Sequence, residues 1–458
     1  MAIIASTLAR IQSDPLDCLG GKDNVNELFA KAGHVWRKCL WDPATTLGVF
    51  IVQVLNQNAA IAELPHLLTN IDLKGSTYCD ARMRLPARGV AQVVESICGD
   101  HSKNDDQSRT WLGHSVFVAD ATTASAPDEP ALQDLWPQPS GQKPGCGFPL
   151  VKLLGMLNLV TGMIAQLSVM CMGVNEMSQA SGLAAALKSG DVLLADRGFC
   201  SFWNLAIAVK SSINSVFRMH HRQIVDFTPN RPRQTGKGKR AKRGTPTSRY
   251  VQRLGHEDHL VDWTRPVKKP QWMSEEEFAS MPATVRVREL RYLIIARGQR
   301  TRVVTIATTL TDASRYPKRR VAELYGMRWE IETNFRHLKT TMKMDHLKCQ
   351  TALGVIKELM IFVLVYNLIR AAMKLAAERQ GVAPSHVSFV DAQRWLCSVF
   401  RQPAKLPLPD LVVNPRREGR HEPRVLKRRI KEYDLMTRPR AEYRAESAEP
   451  SQTKGVTN

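Results

Sequence analysis

Two short apolar runs that each end in an aspartate constrain the fold of this chain more than any other feature. They are SVFVAD at 115–120 and DVLLAD at 191–196. Short runs rich in Val and Leu are typical of buried strands. The pattern adds two strands within 150–173, a helix at 177–188, a helix at 202–209 and a strand at 216–219. This βββαβαβ order predicts an α/β sheet of mixed direction that carries two carboxylates to one edge.

The segment 153–174 has a second interpretation, because it is uncharged and its 22 residues would suffice for a membrane span. Its interior nevertheless carries Asn158, Thr161 and Gln166, and Gly162 lies where a turn is expected. Two paired buried strands therefore explain the segment better than a transmembrane helix. We expect no membrane partner.

The stretch at 325–339, YGMRWEIETNFRHLK, places polar side chains at helical spacing. At roughly 100° per residue, four of them fall within an arc of about 60°: Tyr325, Arg328, Glu332 and Lys339. Arg336 and Lys343 extend this face. An apolar stripe beside it is predicted to seat the helix on a core, and its members are Leu324, Met327, Ile331, Phe335, Leu338 and Met342. The alternative is an ordinary amphipathic helix with a solvated, charged face.

Three acids now stand out, namely Asp120 and Asp196 at strand ends and Glu332 on the helix. Two metal ions about 4 Å apart need such carboxylates to activate an attacking oxygen and stabilise a leaving one. Oxygen ligands suit Mg²⁺ or Mn²⁺, and the cysteines offer no zinc motif. Taken singly, each aspartate could instead be a turn or cap residue.

The composition points to a polyanionic partner. The 458 residues are 43% hydrophobic, and 64 Lys and Arg against 43 Asp and Glu give a formal charge of +21. Nucleic acid fits this charge better than a membrane does. The nine cysteines include no C-x-x-C pair, which favours reduced thiols. With no secretory signal in the first residues, we expect a location in the bacterial cytoplasm, at the nucleoid.

A basic loop is predicted at 231–243, RPRQTGKGKRAKR, which has seven Lys or Arg and no large apolar residue. We predict phosphate contacts there, although such runs are often only solvated. The candidate residues are Lys237, Lys239, Arg240, Lys242 and Arg243. Segments 250–264, 284–297 and 301–309 are rich in Val, Ile, Tyr and Thr, which predicts a β-rich insertion between the strand at 216–219 and the helix at 325–339.

Five regions result from these patterns. We predict an N-terminal helical domain at 1–110 that binds DNA or serves as a structural cap. The rest divides into a first part of the catalytic core at 111–220, the β-rich insertion at 221–310, core helices at 311–400 and a basic tail at 401–458.

Several motifs together resemble one known family. They are ADATTAS around Asp120, DVLLADRGF around Asp196, the spacing Y-x2-R-x3-E-x6-K from Tyr325 to Lys339, YCDARMRLP at 78–86, LGHEDHLVDWTRP at 254–266, VREL at 287–290, KTTMKMDHLKCQT at 339–351 and YNLIR at 366–370. The chain resembles the DDE transposases of bacterial insertion sequences, in the group founded on insertion sequence four, over about residues 40 to 440.

The resemblance implies a ribonuclease-H-like core interrupted by a β-rich insertion. It also implies that Asp120, Asp196 and Glu332 bind two Mg²⁺ or Mn²⁺ ions, and that Tyr325, Arg328 and Lys339 contact double-stranded DNA. Water would act as the first nucleophile and release a 3′-hydroxyl at each end, which would then attack target DNA. A homodimer working on paired ends is expected.

Three questions stay open at this level. A transposase-derived repressor without catalysis, or a structure-selective nuclease on the same core, would carry similar motifs. Some members of the family pass through a DNA hairpin and stack a flipped base on an aromatic residue. Here that residue would be Trp263, Trp272, Tyr292 or one that the sequence does not identify, although the two tryptophans could simply pack the insertion.

Overall fold

The computed structural model describes residues 19–37, 39–68, 73–101, 111–233, 245–294, 302–401, 409–413 and 436–448. The described strands form one sheet of nine strands in the order β3-β2-β1-β4-β5-β9-β8-β7-β6. They are β1 (Val116–Ser125), β2 (Leu150–Asn158), β3 (Ile164–Met170), β4 (Val192–Ala195), β5 (Asn214–Arg218), β6 (Arg249–Gly255), β7 (Asp258–Thr264), β8 (Thr284–Ile294) and β9 (Arg302–Thr308).

The sheet is mixed, as predicted. β1 pairs antiparallel with β2 and β2 with β3, whereas β1–β4 and β4–β5 are parallel. The strands of the expected insertion do not form a separate sheet, because β9 pairs antiparallel with β5 and β8, β7 and β6 follow in turn. The prediction of a mixed α/β architecture is therefore confirmed.

The helices lie on both faces of the sheet and at the N-terminus. They are α1 (Gly21–Lys31), α2 (Pro43–Leu55), α3 (Leu64–Leu67), α4 (Gly75–Arg84), α5 (Ala87–His101), α6 (Pro130–Leu135), α7 (Ala180–Ala185), α8 (Phe202–Lys210), α9 (Glu275–Ala279), α10 (Lys318–Gly326), α11 (Glu330–Arg336), α12 (Ala352–Gln380), α13 (Phe389–Arg401) and α14 (Arg440–Ala448). One apolar core contains α2, α11 and α12, and a second contains α7 and α8 on the opposite face.

The segment 153–174 forms the two antiparallel strands expected of it, joined by a tight turn at Gly162, whose φ is +68°. The YNLIR motif holds this turn from behind. Tyr366 donates its hydroxyl to the Gly162 carbonyl, the Asn367 amide bonds both the N–H and the C=O of Ile164, and Arg370 donates to the Thr161 carbonyl. Such a motif is structural, because it satisfies buried backbone groups.

Helix α12 is long and apolar enough to cross a membrane, but 72% of its most apolar window is buried by the rest of the chain. It is the central core helix, and the N-terminal helices α2 and α5 pack against it. Lys357 on α12 is 4% exposed and donates to the carbonyls of Arg82, Met83 and Leu85 at the end of α4. The YCDARMRLP motif therefore helps to dock α4 on the core helix.

The next residue of α12 makes a second buried contact at this interface. The Glu358 carboxylate accepts from the backbone N–H groups of Lys348 and Cys349 and from the Asn58 amide. Because the KTTMKMDHLKCQT stretch supplies two of these donors, it too has a structural role between the N-terminal helices and α12.

The stretch at 325–339 is helical throughout, but it is not the single regular α-helix that the spacing predicted. Helix α10 ends at Gly326, a 3₁₀ turn covers Met327–Trp329, α11 follows, and His337–Thr341 forms a π-helical turn. The rotation per residue changes at each junction. As a result Met327, assigned to the apolar stripe, is 50% exposed, whereas the other stripe residues are buried.

The predicted helix at 177–188 is also shorter than expected. A 3₁₀ turn at Glu176–Gln179 precedes α7, which ends at Ala185. In the C-terminal region, α14 docks near β1 and β2: Arg440 donates to the Gly147 carbonyl at 2.8 Å, lies over the Phe148 ring and pairs with Asp128.

Candidate active site

Asp120 and Asp196 come together because two parallel strands share a register. Ala119 on β1 lies opposite Ala195 on β4, so the next residue of each strand projects from the same face of the sheet. Both side chains therefore lie on the face that packs against α11. Asp196 has extended backbone angles and begins the 3₁₀ turn Arg197–Phe199.

Tyr325, at the end of α10, reaches this pair of acids. Its hydroxyl donates to Asp196 Oδ1 at 3.3 Å, and the side chain is buried. Burial raises the pKa of Tyr325 above its usual value, so the phenol stays protonated. It acts as a hydrogen-bond donor to a carboxylate at neutral pH.

Arg328 connects Asp120 with Glu332, the third predicted acid. Its Nη1 lies 3.2 Å from Asp120 Oδ2 and its Nη2 lies 3.6 Å from Glu332 Oε1, with only 7% of the arginine side chain exposed. Its Nε is buried and has no hydrogen-bond partner among the described residues. One mostly buried cation is therefore held between two carboxylates.

Asp120 lies within β1, because pairing with β2 carries the strand on to Ser125, so the prediction that this acid ends its strand is wrong. Its electrostatics are unusual for a surface carboxylate. Burial raises its pKa, opposed by the Ala121 N–H bond at 2.8 Å and by Arg328, and the negative charges of Asp196 and Glu176 raise it further. Three carboxylates thus lie near one another where Asp120 is largely shielded from water. Such an arrangement is characteristic of sites that bind a cation or perform acid–base chemistry.

Glu332 is less fixed than the aspartates, because its side chain is 49% exposed and its partner is Arg328. Across the described residues, no three Asp, Glu, His or Cys side chains lie close enough together to coordinate one ion. The donor set nevertheless fits a divalent ion. Asp120 and Asp196 offer carboxylate oxygens on the same face of the sheet, and Glu332 lies on the other side of the arginine that pairs with Asp120.

Gly155 explains how α11 approaches the acids so closely. It lies directly opposite Asp120 in the β1–β2 register. A Cβ atom at this position would lie 3.0 Å from the Phe335 ring on α11. The missing side chain gives the helix room to lie directly over the strand that carries Asp120.

Sequence reasoning missed four residues beside the acids. Arg218 follows Phe217, which lies opposite Ala195, so it ends the strand beside Asp196. Lys152 and Glu176 form an ion pair at 3.1 Å, and Glu176 contributes to the raised pKa of Asp120. These residues and Gly155 had no local signal. Strand pairing brings Arg218 and Gly155 to the acids, and the ion pair with Lys152 on β2 holds Glu176.

The other predicted DNA contacts are distributed differently. Arg336 is exposed at the end of α11, and Lys339 is partly exposed in the π-helical turn. The loop residues Lys237, Lys239, Arg240, Lys242 and Arg243 lie outside the described residues. Within the same basic run, Arg231 is buried and donates to the carbonyl and hydroxyl of Ser248.

The candidates for base stacking also differ from one another. Trp263 is 9% exposed and donates its indole N–H to Glu289 at 2.8 Å, and Trp272 packs against the second core. Tyr292 is half-buried, and burial raises its pKa to about 12. Its buried hydroxyl has no hydrogen-bond partner among the described residues.

Comparison with known proteins gives three findings. Residues 111–368 match the family model of the transposase DDE domain. The chain is 26% identical over 380 residues to the transposase InsG of insertion sequence element IS4 from Escherichia coli K12, which covers 78% of this chain and 77% of that protein. It also aligns with a piggyBac transposase from a synaptic complex with hairpin DNA, at 11% identity and a TM-score of 0.44, over 86% of this chain and 82% of that chain.

Proposed function

This chain belongs to the transposase DDE domain family, in the group of the IS4 element, and from that premise we propose how it acts as a DNA transposase. It binds the inverted ends of an insertion sequence and cleaves them by metal-dependent hydrolysis. It then joins the 3′-hydroxyl ends to target DNA. The observation that carries this proposal is that Asp120, Asp196, Tyr325, Arg328 and Glu332 come together on one face of the sheet.

The proposed core is ribonuclease-H-like. Its support is the order β3-β2-β1-β4-β5, with the first three strands antiparallel and the last two parallel to β1. In this proposal 111–220 and 311–400 form the core and 221–310 is the insertion that extends the sheet. The helices at 1–110 form a DNA-binding domain, and 401–458 is a basic tail.

We assign Asp120, Asp196 and Glu332 as the ligands of two Mg²⁺ or Mn²⁺ ions. When bound, the ions would activate the attacking oxygen and neutralise charge on the leaving one. The raised pKa of Asp120 supports this assignment, because a buried carboxyl beside other acids is stabilised by a nearby cation. In the metal-free protein, Arg328 supplies that cation.

The other residues of the site position DNA. Arg328 and Lys339 bind the phosphate oxygens next to the scissile bond, and Tyr325 holds Asp196 in place while its ring contacts the end DNA. Arg336 and the loop residues Lys237, Lys239, Arg240, Lys242 and Arg243 extend this contact. Water attacks first and a DNA 3′-hydroxyl attacks second, so no covalent enzyme intermediate is needed.

The deciding experiment uses DNA that flanks the chain's own gene, incubated with purified protein and Mg²⁺ or Mn²⁺. Breaks are mapped to the nucleotide for the parent and for Asp196→Ala. Cuts at paired inverted ends that require metal and Asp196 are expected, and joined products show strand transfer. The structure of the released DNA ends, closed as a hairpin or open, distinguishes a hairpin route from other excision routes.

Two other outcomes would replace the proposal. Sequence-specific binding without cleavage, equal in parent and variant, would indicate a repressor derived from a transposase. Cleavage without joining would indicate a nuclease. We further propose a homodimer, because two DNA ends must be brought together, and a location at the bacterial nucleoid, because the substrate is DNA.

A further inference from the structure

A cavity of about 500 Å³ lies among the N-terminal helices, away from the residues of the carboxylate site. Its walls come from the segment that joins α1 to α2, from the start of α2 and from the end of α4. The lining residues that matter for its chemistry are His34, Trp36, Arg37, Trp41 and Arg84. Its volume falls in the range of ordinary ligand pockets, about 300–1,000 Å³.

Three aromatic rings line the cavity, and packing holds each of them. Trp36 stacks on His34 with ring centroids 5.6 Å apart and an interplanar angle of 25°. Trp41 packs against Tyr78 with centroids 5.7 Å apart. Burial lowers the pKa of His34, and Arg84 lowers it further, so the imidazole is neutral at neutral pH. The result is a pre-positioned, uncharged aromatic surface.

The charges around this surface have one sign. Arg37 and Arg84 are exposed, and the described lining residues include no carboxylate. Asp42, the acid next to Trp41 in the chain, caps α2 through the Thr45 N–H and pairs with Lys22 at 3.1 Å. The mouth of the cavity therefore favours an anion.

We infer that this cavity binds an unstacked base of single-stranded DNA, with Trp36 and Trp41 contacting the base and Arg37 and Arg84 binding the adjoining phosphates. Aromatic rings beside cations suit a single strand, because an unpaired base exposes a flat face and its backbone carries the charge. A base inside a duplex presents only its edges. The inference rests on the proposed function and adds a second DNA site to it.

Cys39 allows a direct test, because it lines the cavity and is an exposed free thiol. The full chain is incubated without divalent metal with oligothymidylate of about 12 nucleotides, or with a duplex of the same length. N-ethylmaleimide is added, and alkylation is measured peptide by peptide. Cys171 is also an exposed free thiol but is not a lining residue, so it serves as the internal control.

The single strand is expected to slow alkylation of Cys39 at least about 5-fold at saturation, with Cys171 unchanged and the duplex much less effective. Trp36→Ala should weaken oligonucleotide binding about 5- to 100-fold. The paired change Arg37→Gln and Arg84→Gln affects only exposed side chains, so it tests the cavity even where Trp36→Ala misfolds. Arg394→Gln, an exposed arginine on α13, is the matched control.

Equal protection by single strand and duplex would overturn the inference, as would unchanged alkylation of Cys39 in both. Protection that grows with protein concentration without DNA would also overturn it, because a second copy of the chain would then cover the cavity. Cleavage of flanking DNA is measured on the same preparations. A protein that cuts DNA but leaves Cys39 unprotected contradicts only this inference, and one that protects Cys39 but never cuts contradicts only the proposed function.

Discussion

The Arg328 guanidinium and the Asp120 carboxylate form an ion pair across the candidate active site, with 3.2 Å between Nη1 and Oδ2. A cation thus already lies beside the acid with a raised pKa. A divalent ion that binds Asp120 must compete with this arginine. DNA could relieve the competition, because a phosphate offers the guanidinium another anionic partner.

Replacing Arg328 should separate metal binding from catalysis. Arg328→Ala removes the competing cation, so the affinity for Mn²⁺ without DNA is expected to rise several-fold in a titration followed by electron paramagnetic resonance. Cleavage should fall about 10²- to 10³-fold, as for the loss of other transition-state donors. Arg336→Ala, at an exposed arginine on the following helix α11, is the control for Mn²⁺ binding. Equal Mn²⁺ affinity in both variants would contradict the competition.

Asp120 should make the folded protein less stable as the pH rises. Burial raises its pKa, so the folded state keeps a proton that the unfolded state has released. The free energy of unfolding therefore falls from the ordinary aspartate pKa of about 3.9 up to the folded value, by about 1.4 kcal/mol for each unit of difference. Asp120→Asn removes this cost, so we expect a variant more stable than the parent at pH 7 and similar to it near pH 4.

Denaturant unfolding at the two pH values measures this difference. Asp312→Asn is the control of opposite sign, because the hydroxyl of Ser314 and nearby backbone N–H groups lower the pKa of Asp312. Its loss should reduce stability at pH 7. If Asp120→Asn lowered the free energy of unfolding equally at pH 7 and pH 4, ionisation of Asp120 would not destabilise the folded protein, which would contradict the prediction.

Gly155→Ala should impair cleavage without unfolding the chain. The added Cβ lies 3.0 Å from the Phe335 ring, so α11 must move by a few tenths of an ångström, at a cost of about 1–3 kcal/mol. A small misplacement of catalytic groups can lower the rate about 10²-fold. Single-turnover cleavage and thermal unfolding measure the two effects.

The control for Gly155 is Gly173→Ala, since a Cβ at Gly173 meets nothing within 4 Å. The double variant Gly155→Ala with Phe335→Leu should recover part of the activity, because the smaller side chain makes room for the methyl group. Full activity of Gly155→Ala alone would show that the position of α11 is not limiting.

Lys357→Met should release the N-terminal helices from α12. The ammonium group satisfies three carbonyls at the end of α4, and leaving buried acceptors unsatisfied costs about 1–3 kcal/mol or more. Hydrogen exchange should increase at 75–101 while the strands of the sheet stay protected. Lys188→Met, an exposed lysine, should change neither, and uniform protection in both variants would exclude a docking role for Lys357.

Neutralising the basic loop should reduce the salt dependence of DNA binding. Each phosphate contact contributes a slope of about −0.9 in log affinity against log salt. Changing Lys237, Lys239, Arg240, Lys242 and Arg243 to Gln should therefore flatten the slope by up to about 4.5 units. Anisotropy titrations between about 50 and 200 mM salt give the slope. An unchanged slope would place the loop away from DNA.

Much of the core follows from local pattern alone. The apolar runs of β1 and β4 with their aspartates, the β2–β3 hairpin around Gly162, and the membership of the family could all be read from the chain, although the sequence did not show that β1 continues beyond Asp120 to Ser125. Periodicity, turn residues and short motifs are properties of neighbouring residues, so no tertiary contact is needed to recognise them. The three acids Asp120, Asp196 and Glu332 were also recognised from local sequence pattern.

Tertiary structure decided the relations between distant segments. Only strand pairing places Gly155 opposite Asp120 and Arg218 beside Asp196, and it also joins β9 to β5 so that the predicted insertion continues the same sheet. The helix around Glu332 changes its winding where it packs on the core, which leaves Met327 exposed. These outcomes depend on hydrogen bonds and packing between segments far apart in sequence, and no local pattern encodes such contacts.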